Sequence, residues 1–433
     1  MIIERKRYLD KLIAKKGNGL IKVVTGIRRC GKSFLLFEIY RSYLHSVGVP
    51  DENIIVLALD EVGSARYRNP FELDKYIREQ VADKSKTYYV FIDEIQKVSE
   101  IRNPYLDDHE SKIGFVDVLL GLMKLKNIDL YVTGSNSRML SSDILTEFKD
   151  RGDEIHVNPL TYSEFYSAYR GDKRSAWRDY FTYGGMPLVM TKTTHEEKSK
   201  YLKDLFAKTY ITDVLEHNSI LGEQNVLEDL LNVVSSSIGS LTNPNRLSKS
   251  FLCMKRAAVS PNTVSRYLDY FIDAFILRKA FRYDIKGKKY IETPLKYYFT
   301  DVGLRNARLN FRQQEENHIM ENIIYNELAA RDFDVDVGVV EYNTTDENGV
   351  KKRAKLEIDF VANKGSARYY IQSALTIDSE DKRAQETNSL NRAGDSFKKI
   401  VVVRDDIIPW HDDMGVLYIG VEQFLLDESA INL

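Results

Sequence analysis

Ile21-Lys22-Val23-Val24-Thr25-Gly26-Ile27-Arg28-Arg29-Cys30-Gly31-Lys32-Ser33-Phe34-Leu35-Leu36 is the stretch that decides how this chain is read. A β-branched apolar run leads into the pattern G-x-x-x-x-G-K-S, and the helix-like SFLLFEIYRSYL follows. Strand, glycine loop and helix in that order give the short pattern its meaning as a phosphate-binding loop, and leave a chance glycine turn little room. Gly26 and Gly31 permit backbone angles that let successive N–H groups turn toward an anion. The expected cradle is Gly26, Ile27, Arg28, Arg29, Cys30, Gly31, Lys32, Ser33 and Phe34. Lys32 is expected to reach the β- and γ-phosphates, and the Ser33 hydroxyl to ligate Mg²⁺ at a helix N-terminus that favours negative charge. A nucleoside triphosphate is the ligand this predicts.

The following residues complete the pattern. Asn53–Leu59 is a second apolar strand, and Tyr88-Tyr89-Val90-Phe91-Ile92 is a third that closes on Asp93-Glu94. An apolar strand ending in Asp-Glu after a phosphate loop predicts Asp93 on the metal and Glu94 as the group that orients and polarises the attacking water. A fourth strand, Ile128–Val132, runs into Thr133-Gly134-Ser135-Asn136-Ser137, whose polar tip is placed to bond the γ-phosphate or the water; Asn136 or Ser135 is the expected group. Glu154-Ile155-His156-Val157 fits a fifth strand. Strands alternating with helices predict an α/β fold, a parallel P-loop NTPase sheet with the ligand at the carboxyl ends of its strands. Arg138 and Arg151 follow the fourth strand, and Arg151, just before the fifth, is the favoured candidate for a cation on the transition state, in cis or from a neighbouring subunit. The helix-like segment around Arg5, Arg7, Tyr8 and Leu9 is expected either to cover a nucleotide base or simply to pack.

Composition sets limits. The 433 residues suggest about three domains. With 43% hydrophobic and 29% charged residues, each has enough core to fold. The longest apolar runs fall short of the ~20 residues of a membrane span, and MIIERKRYLDK lacks the apolar region of a signal peptide, so the cytoplasm is the expected compartment. Cys30 and Cys253 are too few for a disulfide framework or a four-ligand zinc site, and Cys30 is expected as a small loop residue, not a nucleophile. A net charge of −2 means that any nucleic-acid surface must be local.

VVTGIRRCGKS, FIDEIQ, YVTGSNSRML and FTYGGMPLVM together resemble a large group of prokaryotic AAA-type ATPases related to the STAND class. The resemblance covers nearly the whole chain. It implies an ASCE/AAA-type ATPase domain (1–160), a helical region (161–240), a winged helix-turn-helix (241–310) and a nuclease-like domain (311–433). It implies ATP as the nucleotide, the sensor-1 position at Ser135 or Asn136, and a Gly184-Gly185-Met186-Pro187 element that couples nucleotide state to the helical region. Without the family, that element reads as a tight turn between two helices.

Two later segments bear on partners. Ser260 is placed to cap a helix from Asn262 to Phe275, with Pro261 in its first turn, and a basic hairpin follows around Lys286, Lys288 and Lys289. This is the outline of a winged helix with Thr263, Ser265 and Arg266 facing a groove. From Arg246 to Lys289 eleven Lys or Arg stand against three Asp, a local +8, which points to phosphate and hence to double-stranded DNA; packing against the core or a protein partner is the alternative. Further on, a helix carrying Glu327 or Glu321, then Asp359 on one strand and Gln372-x-Ala374 on the next, resembles the PD-(D/E)xK nuclease superfamily, a restriction-endonuclease-like α/β fold. Ala374 stands where that pattern has lysine, so the domain is expected to be inactive as a nuclease and to serve binding or assembly, unless a displaced lysine such as Lys355 substitutes. The expected function is Mg²⁺-dependent ATP hydrolysis driving a conformational change. The alternatives are a nucleotide-switched DNA-binding or protein-assembly module, with a protein partner or a homo-oligomer as its assembly, and a DNA nuclease with an ATPase motor.

Overall fold

The structure, a computed structural model, describes residues 3–106, 111–135, 152–211, 214–215, 218, 220, 224–255, 259–312, 315–345, 349 and 351–433. The chain divides into two compact units: Met1–Asn158 with Asp273–Phe275, and Pro159–Ile272 with Ile276–Leu433.

The first unit is built on a five-stranded sheet: β1 (Ile21–Thr25), β2 (Ile54–Ala58), β3 (Tyr88–Asp93), β4 (Ile128–Thr133) and β5 (Gly152–His156), in the order β2-β3-β4-β1-β5 and parallel throughout. Every residue of β1 and β3 is buried, as expected for central strands covered on both faces. The β1 run tolerates Lys22 because its ammonium pairs with Asp129 on the neighbouring β4, and Tyr131 donates to the same carboxylate at 2.8 Å. This order sets the site. With β4 between β3 and β1, Ile92 pairs with Val132 and Val24 pairs with Thr133. The carboxyl ends of β3, β4 and β1 therefore lie side by side, carrying Asp93, Thr133 and the glycine loop.

The second unit combines helices with an eight-stranded sheet. Its strands are β6 (Leu277–Asp284), β7 (Lys289–Phe299), β8 (Asp334–Thr345), β9 (Lys351–Lys364), β10 (Ala367–Ala374), β11 (Lys398–Val403), β12 (Trp410–His411) and β13 (Leu417–Gly420), in the order β12-β13-β11-β10-β9-β8-β6-β7. The basic hairpin expected as a wing is β6–β7. It is hydrogen-bonded into this sheet through the parallel pairing of β6 with β8, from Val337–Arg282 to Val339–Asp284. Residues read from the sequence as a winged helix and as a separate nuclease-like domain thus share one sheet.

The Gly184-Gly185 element is a buried joint within this unit. The Gly185 N–H donates to Asp301 Oδ2 at 2.6 Å, and Leu304 N–H donates to Asp301 Oδ1 at 3.0 Å, which caps the Val302–Arg308 helix. Leu160 N–H donates to the Gly185 carbonyl at 2.7 Å, and a Cβ on Gly185 would stand 2.1 Å from the Leu160 carbonyl oxygen, so only glycine fits. Burial pushes the Asp301 carboxyl up to about 6, against the backbone N–H groups of Gly185, Leu304 and Gly303 that favour its charge. Its proton is held more tightly in the folded state than in the unfolded one. The stabilisation this gives is complete below about pH 4 and is lost as pH rises through 6. Relative to wild type, Asp301→Asn should therefore lose about 3 kcal/mol of pH dependence between about pH 4 and 7. Urea unfolding across that range checks this, and parallel pH profiles would contradict it.

Candidate functional site

The loop after β1 is shaped by its own chain. Gly26 sits at φ 136°, and a Cβ there would meet the Val157 carbonyl oxygen at 2.2 Å. Arg29 takes a left-handed conformation at φ 65°. Arg5, nearly fully buried, donates to the Cys30 carbonyl at 3.1 Å and to the Asn158 carbonyl at 2.7 Å, while Asn158 N–H donates to Tyr8 Oη at 3.1 Å. Arg5 and Tyr8, at the start of the opening helix (Lys6–Lys15), thus tie it to the loop and to Asn158. Cys30 is buried with its Sγ donating to the Val157 carbonyl at 3.2 Å, and burial pushes its thiol up, consistent with a small structural residue. The Lys32 ammonium donates to the loop's own carbonyls, Gly26 at 2.9 Å and Ile27 at 3.3 Å.

Asp93 ties three elements together. Its Oδ2 accepts from Ser33 Oγ at 2.8 Å, and its Oδ1 accepts from Thr133 Oγ1. Thr133 Oγ1 in turn accepts from the Glu94 N–H at 3.0 Å. A serine hydroxyl and a carboxylate at hydrogen-bond distance are hard oxygen donors, a set that fits Mg²⁺. Glu94 has φ 54° and ψ 50°, a left-handed conformation uncommon for a residue with a side chain. Burial pushes its carboxyl above the usual range; Lys32 opposes that, Asp93 adds to it, and Arg28 and Gln96 oppose it. Ser135 Oγ lies 3.4 Å from Glu94 Oε2. The structure thus gathers Lys32, Ser33, Asp93, Glu94 and Ser135. Asn136, Arg138 and Arg151 lie outside the described residues. Sequence reading placed Thr133 in the polar tip after β4 but favoured Ser135 or Asn136 there, and it passed over Gln96.

A family described as "AAA domain" matches residues 18–166, and one described as "Domain of unknown function (DUF8612)" matches residues 174–315. An uncharacterised protein of Haemophilus influenzae is 31% identical over 406 residues, covering 93% of each chain. This chain belongs to the same family. An uncharacterised protein of Methanocaldococcus jannaschii is 26% identical over 441 residues, covering 97% of this chain and 86% of its own. Among solved structures, the Walker-type ATPase of Pyrococcus abyssi is similar at 15% identity and a TM-score of 0.49, covering 71% of this chain and 96% of its own. The N-terminal unit of this AAA-domain protein is an AAA-type P-loop domain with the five-stranded parallel sheet of that class.

In the second unit of the AAA-domain protein, the acidic constellation differs from the one expected. Glu327 is not part of it: its Oε1 accepts from Arg331 Nε at 2.7 Å, one helical turn on, and Arg331 also bonds the Phe424 carbonyl. Glu321, the other glutamate expected, lies six residues earlier on the Glu316–Ala330 helix and shares the Lys296 ammonium with Asp359. The Phe360–Ile371 pairing sets Asp359 beside Gln372 and Ser373, and Ser373 N–H donates to Asp359 Oδ2 at 2.9 Å. Between these acids lies a residue that sequence reading missed. Lys296, 3% exposed on β7, has its Nζ 2.8 Å from Glu321, 2.6 Å from Glu357 and 3.7 Å from Asp359. Its signal was a lone lysine inside the strand-like YIETPLKYYFT. Lys355, considered as a displaced lysine, is exposed and pairs with Glu341 at 2.8 Å. Burial and then Glu321 push Asp359 up to about 8, while the Lys296 ammonium holds Glu321 below the usual carboxylate range. Among the described residues no group of three or more His, Cys, Asp or Glu is arranged to hold a metal ion.

The basic segment is partly spent on structure. Ser260 caps the Pro261–Asp273 helix, accepting from Thr263 N–H at 3.1 Å, and its hydroxyl also bonds that of Thr263 at 2.9 Å. Ser265 is half-buried and Arg266 exposed. Arg282 is buried in the sheet, whereas Lys286, Lys288 and Lys289 are exposed at the β6–β7 turn. Among the described residues no helix is long and apolar enough to cross a membrane.

The two lysines give a paired prediction. Lys296→Ala strands buried carboxylates without their cation and should cost about 3–5 kcal/mol. Lys355→Ala breaks an exposed pair and should cost less than about 1 kcal/mol. Equal midpoint shifts in urea unfolding would contradict the assignment of Lys296.

Proposed function

We propose that this chain binds ATP with Mg²⁺ and hydrolyses it at the carboxyl ends of β1, β3 and β4. The observation that carries this reading is the Asp93 carboxylate, bonded at once to Ser33 of the loop and Thr133 of β4. In this account Lys32 leaves the loop carbonyls for the β- and γ-phosphates, and the loop N–H groups hold the remaining phosphate oxygens. Ser33 and Asp93 would hold Mg²⁺, whose chemistry is to offset charge on the phosphate oxygens. Glu94, fixed through its N–H to Thr133, is the group that orients a water for in-line attack and accepts its proton. Asn136 is the proposed sensor and Arg151 the proposed cation on the transition state, in cis or from a second copy. Hydrolysis would then move the second unit, with the Gly184-Gly185 joint as part of the relay.

A DNA-coupled function is the second reading, favoured by the three exposed lysines of the β6–β7 turn, with Thr263, Ser265 and Arg266 on the neighbouring helix. In it, duplex DNA contacts this face and the Glu321–Lys296–Asp359 core of a nuclease-like sheet serves binding rather than cleavage.

One assay addresses both. Glu94→Gln should bind ATP within about threefold of wild type and lose about 10²–10³ in turnover. Unchanged turnover would remove Glu94 from its role. Added duplex DNA should raise wild-type turnover, with an effect that falls steeply with salt. Turnover indifferent to DNA at low salt would remove the second reading.

A further inference from the structure

The turn after Glu94 brings a third residue onto the reacting group. Glu94 is left-handed, and Ile95–Lys97 forms a single tight 3₁₀ turn closed by Lys97 N–H to the Glu94 carbonyl at 2.8 Å. Ile95 is fully buried and anchors that turn. A strand running straight on would send residue 96 to the same face but away along the chain. Here the backbone doubles back, and the Gln96 amide lies against the Glu94 side chain: Gln96 Nε2 donates to Glu94 Oε2.

The same nitrogen lies 3.3 Å from Ser135 Oγ, at the end of β4, and Ser135 Oγ lies 3.4 Å from Glu94 Oε2. Three groups from two loops therefore close a triangle on one carboxylate oxygen. The orientation of the amide follows from chemistry, because a carboxylate only accepts and so must face the nitrogen. That choice leaves Gln96 Oε1 buried with no hydrogen-bond partner among the described residues. A buried acceptor left unmatched is the cost of setting the amide nitrogen against Glu94.

We infer that Gln96 is a positioning residue for hydrolysis, holding the Glu94 carboxylate in one orientation against Ser135 so that its other oxygen is presented to the water. This rests on the ATP-hydrolysis reading above. Gln96 acts through Glu94: among the described residues its amide bonds Glu94 and Ser135.

The test is steady-state ATP turnover beside equilibrium ATP binding for wild type, Gln96→Met and Gln96→Glu. Methionine keeps length and volume without the amide, and glutamate keeps shape but sets a like charge against Glu94. Turnover should fall about tenfold or more in Gln96→Met and further in Gln96→Glu, with ATP affinity within about twofold of wild type. Glu94→Gln with Gln96→Met should be no slower than Glu94→Gln alone, because both remove one function. Turnover of Gln96→Met within about twofold of wild type, or a loss of turnover matched by an equal loss of affinity, overturns the role of Gln96 and leaves the ATPase reading standing. A wild type that binds ATP and never turns it over overturns both. If Gln96→Met does not fold by circular dichroism, Gln96→Glu is read against the same limits.

Discussion

The Asp93 carboxylate is the constraint on which the N-terminal unit turns. It is a buried anion that spends one oxygen on the loop serine and the other on the last residue of β4, the strand beside β1. Hydrogen bonds to a charged group are worth about 1.5–3 kcal/mol each, so this single carboxylate fixes loop, β3 and β4 relative to one another. The strand order β2-β3-β4-β1-β5 is what makes the bridge possible, since β4 lies between the other two. Thr133 passes the constraint on to the backbone of Glu94. The left-handed conformation there is thereby held by a bond, at the residue proposed to orient the water.

The second unit depends on the same physics turned inward. Lys296 is surrounded by Glu321, Glu357 and Asp359, so one ammonium is shared by three carboxyl groups, and burial with Glu321 beside it makes Asp359 hold its proton. Among the described residues Asp301 is held by backbone N–H groups with no cation beside it, and burial raises its proton affinity against them. Both are buried carboxylates that lock a helix to a neighbouring segment. One does so through an ammonium and is costly to break; the other does so through a glycine turn whose close approach excludes any side chain.

The phosphate loop, the Asp-Glu strand and the alternation of strands and helices were legible in the sequence because they are local: adjacent residues carry the signal. Strands expected at Ile128–Val132 and Glu154–Val157 are found at Ile128–Thr133 and Gly152–His156. Ser260 caps its helix as its spacing with Pro261 predicted. The misses are all long-range. Glu327 and Glu321 share a helix, and only tertiary packing shows that Arg331 claims the first while Lys296, from a distant strand, claims the second. The basic hairpin has the composition of a free wing, but composition does not reveal that β6 pairs with β8. Thr133 and Gln96 were hidden for a related reason: their roles come from a strand end and a tight turn that bring them to Asp93 and Glu94, not from a recognisable motif.

In the proposed hydrolysis one hydroxyl, Thr133 Oγ1, joins the Asp93 carboxylate, proposed for the metal, to the backbone N–H of Glu94, proposed to orient the water. Phosphate release from ATP with Mg²⁺, compared between wild type and Thr133→Val, tests it most directly, since valine keeps the shape of the side chain and removes the bond. Wild type should release phosphate measurably, and the variant should lose at least about tenfold with ATP binding preserved. Equal release by the two proteins, or none by wild type under conditions where it binds ATP, would contradict this reading.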